Sequence, residues 1–552
     1  MMIRAMCLSL PSCVLLAACA GGPPAEDRSV PVADMEQNID SGGIHAVKHV
    51  IIVMQENHSF DNYLGALAYA PGSPYHGPKP PGAGPGNELT GCPPNDHRCV
   101  DGLRCVVDAA GGFQCANHNR DDDGSTVFAF HDTRRCVRPD LDHSWGGSHR
   151  EANFHNPNQT RHHAPMNGFV LVNDETEQPD NGTESATDDQ TMGFHTQAEI
   201  PFYYELASDF AISDRYFASV LGPTFPNRCY LMAATSFGHV TTNDTIPPLG
   251  GYKPITGTIF DLLEANDVSW ADYYQDTPQG SSFRQFGLPP LDPHLLPLPV
   301  FFAQAAGAPE LPAVSFVDPN FGLLGVAAEN DENAPTDIQR GQAFVSDVIN
   351  AVRNGPHWAD TVLFVVYDEH GGAYDHVSPP QAAHPDGIDP GQCADRSDPP
   401  ASLAPGGGAE CHSNLRGGSS SLQEAIELCP ALAADPTGPF PRNCATFDQL
   451  GVRVPLVAIS PFARPHYVSH VIADHTSLLA FIERAFLPDH QHLTERDAQA
   501  YDLRDLFDFT RSPSLLTRVG HAAPPVDDCT FQSLPRRSPG SIFKVPPDRA
   551  SM

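Results

Sequence analysis

The sequence predicts an α/β protein: a doubly wound, mostly parallel sheet flanked by helices and interrupted by two Cys-rich insertions. Strand-length apolar runs, runs of helical spacing, and their alternation along the chain predict it. Val47 to Met54 is the first strand and ends at Gln55-Glu56-Asn57. Phe344, Val345, Val348, Ile349 and Val352 recur at helical spacing immediately before the β-branched, aromatic run Thr361-Val-Leu-Phe-Val-Val-Tyr367. That run reads as a buried strand and ends at Asp368-Glu369, ahead of Gly371-Gly372. Val454 to Ile459 is a further strand, ending at Ser460-Pro461. Leu478, Leu479, Phe481, Ile482 and Phe486 form a helical stripe after Asp474-His475-Thr476-Ser477, which has the composition of a helix cap. No internal repeat is seen.

At 552 residues the chain can bury a large core, and 40% hydrophobic with 18% charged residues fits a globular protein. Its 55 prolines and 45 glycines exceed the usual share and imply long irregular loops. A formal charge of -35 repels nucleic-acid phosphates and gives no help on anionic lipid, which argues against nucleic-acid binding.

Residues 1–19 read as a signal segment. Arg4 precedes an apolar stretch too short to span a bilayer, and Leu16-Ala17-Ala18-Cys19 resembles a bacterial lipobox. Residues 20–44 read as a flexible tether, 45–510 as the main domain and 511–552 as a C-terminal extension. The expected location is therefore the bacterial envelope, lipid-anchored, or secreted. Cysteine usage agrees with export. Cys92, Cys99, Cys105, Cys115 and Cys136 cluster in an insertion at about 78–140, and Cys393, Cys411, Cys429 and Cys444 in one at about 378–446. Without a Cys-x-x-Cys pair, disulfides are expected rather than zinc. Asn119-Arg-Asp121-Asp-Asp123-Gly124 has the spacing of half a calcium loop, but Phe130 stands at the twelfth position, so an acidic turn is expected.

The chemistry concentrates at strand ends, where open α/β sheets place their ligand crevice. Glu56 and Asp368-Glu369 end two strands; if these converge, carboxylates that repel one another need a cation or shared protons. Pro-flanked Thr224 precedes a helix expected over 227–235, where a metal and a helix N-terminus would favour its alkoxide.

These residues resemble a known family. His49-Val-Ile-Ile-Val-Met-Gln-Glu56-Asn57-His-Ser-Phe-Asp61-Asn-Tyr-Leu-Gly65 is similar to the opening motif of the phosphoesterase family of bacterial and plant phospholipases C and a bacterial acid phosphatase. Asp142-His143-Ser-Trp145, Gly222 to Arg228, Tyr367 to Val377 and Val454 to His475 match in the same order. The resemblance implies an alkaline-phosphatase-like fold and one divalent metal ion (Ca, Mg, Zn or Fe). Glu56, Asn57, Thr224, Asp368 and Glu369 would hold it. Thr224 would be the nucleophile and His143 the proton-transferring residue, with Asn57, His143, Asn227 and His370 contacting substrate. The family's His-Pro pair is absent: the stretch reads Asp331-Glu332-Asn333-Ala334-Pro335, so the resemblance implies a phosphate-binding histidine that is missing here or replaced by Asn333.

His376 is expected to be structural, paired with Asp375, and Trp145 and Phe169 to be core residues. His475, ahead of its helix, is read as a packing or capping residue as readily as a functional one. The expected function is hydrolysis of phosphodiesters through a phospho-threonine, with a phospholipid head group among the expected substrates. A phosphomonoesterase, or a surface lipoprotein with a decayed site, is the alternative.

Overall fold

The computed structural model describes residues 43–525, except 79–90, 137–139, 177–187, 323–328, 386–446 and the shorter stretches 158, 161–162, 238, 241, 243–246, 248, 255, 288–290 and 516–518. The expected signal segment and residues 386–446, which hold the four cysteines of the second insertion, lie outside the described residues. Eight strands form the central sheet: β1 His49–Gln55, β2 Ala211–Ser213, β3 Trp270–Tyr274, β4 Leu295–Pro297, β5 Val314–Val317, β6 Thr361–Tyr367, β7 Leu456–Ile459 and β8 Tyr467–Ser469. Their order is β4-β3-β5-β1-β6-β7-β2-β8, and β7 alone runs against the others. The sheet is thus large and mostly parallel, within a mixed α/β fold.

β1 and β6 are central, and every residue of both is buried. Continuous Val, Ile, Leu and Phe suit that place, because both faces of a parallel sheet are covered. Helices do the covering. The helix α1, Trp145–Ala152, lies beyond the strand ends; α2 is Pro201–Asp209, α3 Thr224–Ala233, α4 Ile338–Arg353 and α5 His475–Phe486. Phe364 of β6 meets Phe481 of α5 edge to face at 5.2 Å, whereas Tyr367 meets Tyr203 of α2 at 6.4 Å. Odd and even positions of one strand therefore contact helices on opposite faces. α5 starts at a capping box: the Asp474 carboxylate accepts from the first turn and Ser477 closes back onto the cap.

The first insertion is stapled by Cys92–Cys99 and Cys105–Cys115. The half calcium loop is the turn of a small hairpin, His118–Arg120 with Thr126–Phe128, in which the Ser125 N–H donates to Asp123. No helix among the described residues is long and apolar enough to cross a membrane.

Candidate active site

Register brings the two acidic strand ends together. β1 and β6 are parallel neighbours matched from His49–Thr361 to Gln55–Tyr367, so Glu56 and Asp368 leave the sheet side by side. All three acids are buried: Glu56 is 7% exposed, Asp368 and Glu369 0%. Asn57 turns the chain with φ 67°, a left-handed conformation that Asn tolerates. Its N–H thereby reaches Asp368 Oδ1 at 3.3 Å, and the Glu369 N–H donates to the same oxygen at 2.7 Å. Gly371 permits this approach: at φ +59° it lies so close that a Cβ would sit 2.3 Å from the Asn57 carbonyl.

α3 begins at Thr224, not at Asn227 as expected, because Pro223 takes the cap position and Thr224 already has helical backbone. That shift places Thr224 and Arg228 four residues apart on one helical face. Arg228 was missed in the sequence although it closes the motif segment. Its Nε donates to Asp368 Oδ2 at 3.1 Å and its Nη2 to Glu56 Oε1 at 3.2 Å. Thr224 itself is half-buried, at the helix N-terminus. Asn227 does not reach outward: Oδ1 accepts from the Val220 N–H, and Nδ2 donates to the carbonyls of Gly222 and Pro223. It holds the loop that presents Thr224, so the substrate contact expected of it is replaced by a positioning role.

Beyond the acids stands His143. Its Nδ1 donates to the Leu141 carbonyl at 2.8 Å and its Nε2 lies 3.9 Å from Glu369 Oε1. Burial disfavours its charge, but Glu369 and Asp140 outweigh that and push it up to about 10. His370 is fully enclosed. Nε2 meets Glu151 of α1 at 2.7 Å and Nδ1 meets Glu369 at 3.3 Å, so both nitrogens serve protein carboxylates. His475 Nε2 donates to the Asp368 carbonyl at 2.7 Å and its other nitrogen pairs with the Tyr216 hydroxyl. Trp145 and Phe169 are buried. His376 pairs with Asp61 at 2.6 Å rather than with Asp375, whose carboxylate belongs to Arg453.

The stretch that lacks the expected His has its own architecture. Glu332 accepts from the hydroxyls of Tyr63, Tyr203 and Tyr367 and from Gln55 Nε2, at 2.6, 2.5, 2.8 and 3.2 Å. This hub fixes Asn333, whose Oδ1 accepts from Asn57 Nδ2 at 2.7 Å.

Two buried oxygens of this nest have no hydrogen-bond partner: Glu369 Oε1 and Asn57 Oδ1. Leaving such atoms dry is costly unless something binds them. Burial, with Asp368 beside it, pushes Glu56 up to about 8; burial and Glu369 raise Asp368 to about 6 despite Arg228. The cluster is short of positive charge. Glu56, Asn57, Asp368, Glu369 and Thr224 offer oxygen donors only, the kind that hard divalent cations take. Among the described residues, two groups bring three metal-type donor atoms within 4.8 Å of one another, and neither is this nest: Asp61, Asp375 and His376 are already filled by Arg453, and Glu264 and Asp292, beside His294, by Arg284.

Comparison with known proteins agrees with the geometry. Non-specific phospholipase C6 of Arabidopsis thaliana is 28% identical over 502 residues, covering 89% of this chain and 76% of that protein. Phospholipase C B of Mycobacterium tuberculosis (strain ATCC 25618 / H37Rv) is 29% identical over 515 residues, covering 86% and 80%. Among solved structures, murine ectonucleotide pyrophosphatase / phosphodiesterase 5 aligns with 56% of this chain and 95% of its own at 11% identity, with a TM-score of 0.27. The Phosphoesterase family profile matches residues 47–487, the span that holds every strand end and helix of the site. On that match the chain belongs to the Phosphoesterase family and is a hydrolase of phosphoric ester bonds.

Proposed function

We propose that this hydrolase is an exported, metal-dependent enzyme of phospholipase C type that cleaves phosphodiesters through a phospho-Thr224 intermediate. The observation that carries it is the seating of α3. Arg228 ties that helix to Glu56 and Asp368, and Thr224 stands one turn earlier, at the helix N-terminus. The phospholipase names of the relatives and the lipobox at Cys19 support the substrate class and export. The match across 47–487 supports an alkaline-phosphatase-like fold for the catalytic body.

A bound divalent ion would draw charge from the phosphoryl oxygens and favour the Thr224 alkoxide. An all-oxygen donor set points to a hard ion such as Mg²⁺ or Ca²⁺. Thr224 Oγ1, its proton lost to solvent, attacks phosphorus, and the bond from phosphorus to the leaving alcohol oxygen breaks. His143, held protonated by Glu369, gives the Nε2 proton to that oxygen. The neutral imidazole then takes a proton from the water that attacks phospho-Thr224, releasing the phosphomonoester. His370 keeps Glu369 oriented from behind through its bond to Glu151. Asn333 orients the Asn57 amide so that Oδ1, the atom able to bind a cation, faces inward.

The test is Thr224→Ala, assayed on a chromogenic phosphorylcholine diester and on a phosphomonoester, with acid-quenched wild type examined by mass spectrometry for phospho-Thr224. Diester turnover should fall roughly 10³-fold or more while the circular dichroism spectrum stays unchanged. Wild-type turnover in the variant would sink the nucleophile. Cleavage of the monoester alone would point to the phosphatase reading, and loss of both activities in metal-replete wild type to a binding protein.

A further inference from the structure

Arg228 bridges the carboxylates of Glu56 and Asp368. Its guanidinium takes one oxygen from Glu56 and one from Asp368, and its Nη2 also lies 3.3 Å from the Met54 carbonyl and 3.4 Å from that of Gln55. Phe321 stacks on it at 5.0 Å, and only 3% of the side chain is exposed. The cation is therefore pinned from three directions: by the acids, by the end of β1 and by an aromatic face. The unsatisfied atoms, Glu369 Oε1 and Asn57 Oδ1, belong to other residues of the nest than the two carboxylates that Arg228 holds. The nest is thus divided into a half occupied by protein charge and a half with oxygens to spare. Two-metal hydrolases hold their ions about 3.5–4 Å apart on bridging carboxylates. A guanidinium spanning Glu56 and Asp368 supplies the same charge in fixed form, since Arg does not deprotonate.

We propose that Arg228 is a built-in second cation of this site. Lodged between Glu56 and Asp368, it limits the acidic nest to a single divalent ion and ties the Thr224 helix to it. Arg228 is a positioning residue in this role: it acts through Glu56, Asp368 and the helix. The inference rests on the reading that the nest binds metal, and its test separates the two.

Metal-stripped full-length protein is titrated with Mn²⁺, with stoichiometry read by equilibrium dialysis and the spectrum by electron paramagnetic resonance. Wild type should take one equivalent and show the signal of an isolated ion. Arg228→Met should take two, with the broadened spectrum of a coupled pair, while Arg228→Lys, which keeps the charge, should stay at one. A count of one in Arg228→Met, or a coupled pair in wild type, overturns the proposal. Wild type that binds no Mn²⁺ removes the metal itself and this inference with it. Should Arg228→Met fail to fold, Arg228→Gln takes its place, and the wild-type spectrum alone still decides against a second ion.

Discussion

Two arginine-centred acid clusters hang from the same two strand exits, and they differ in one respect. Past the end of β1 come Glu56 and then Asp61; past the end of β6 come Asp368 and then Asp375. Arg228 serves the first pair and Arg453 the second. Arg453 donates to both oxygens of Asp375 at 2.9 and 3.0 Å, to Asp61 at 3.2 Å, and to the carbonyls of Asp101 and Asp214. His376 completes Asp61, Arg215 pairs with Asp101, and His470 with Asp214. No side-chain atom of Asp61, Asp375, His376 or Arg453 is buried without a partner, whereas Glu369 and Asn57 in the other cluster each have one that is. Burial and charge are alike in the two; satisfaction is not. A saturated cluster clasps the loops together, and an unsaturated one retains the capacity to bind.

If that distinction holds, removing one charge should have opposite consequences in the two places. The largest effect is expected for Glu56→Gln. Its metal affinity should fall by more than the roughly 10–100-fold that loss of an outer-shell partner costs, and turnover should fall with it. In chelator, however, its melting temperature should equal or exceed that of wild type. Burial and Asp368 already disfavour the Glu56 charge, so the neutral amide relieves a penalty. A metal-free variant that melts well below wild type would mean that Glu56 is structural after all. Next in size is Arg453→Met, which strips the buried Asp375 of its cation, leaves Asp61 with His376 alone, and should cost about 3–5 kcal/mol by denaturant unfolding. Chelator should not change that deficit, because the clasp holds no metal. A deficit that grew or vanished with chelator would merge the two clusters into one.

The distinction was only partly legible beforehand. β6 was readable to the residue, since a run of Val, Leu and Phe between Asp360 and Asp368 has no other buried use. The first strand and the capped helix at His475 were read nearly as well, because pattern and caps agree there. The acids were visible as strand ends, but their adjacency depends on β1 and β6 being neighbours, a fact of strand order. Arg228 was hidden for a local reason: a helix begun at Asn227 takes Thr224 and Arg228 off a common face. Arg453 was hidden for a long-range one, since its partners lie 78 and 392 positions away in sequence. Pairing His376 with Asp375 followed sequence proximity. In the fold Arg453 takes both oxygens of Asp375 and leaves Asp61 for the histidine.

The smallest effect expected is also the most selective probe of the clasp, because it reads a proton and not a missing contact. Burial disfavours the charged form of His376, but Asp61 at 2.6 Å and Asp101 at 3.4 Å outweigh it and push the imidazole from 6.5 up to about 9. A histidine raised in the folded state contributes stability that is fully present below its unfolded value near 6.5. That stability drains away as pH rises through about 9. His376→Gln keeps a donor for Asp61 and removes the titration. At pH 6 the variant should lie below wild type by about 1.5–3 kcal/mol, the range for a hydrogen bond to a charged group. The gap should close above pH 9. His143 and His370 titrate in both proteins, so the difference between the two curves isolates His376. Parallel curves from pH 6 to 10 would mean that its charge does nothing for the fold, and that Arg453 alone secures Asp61 and Asp375.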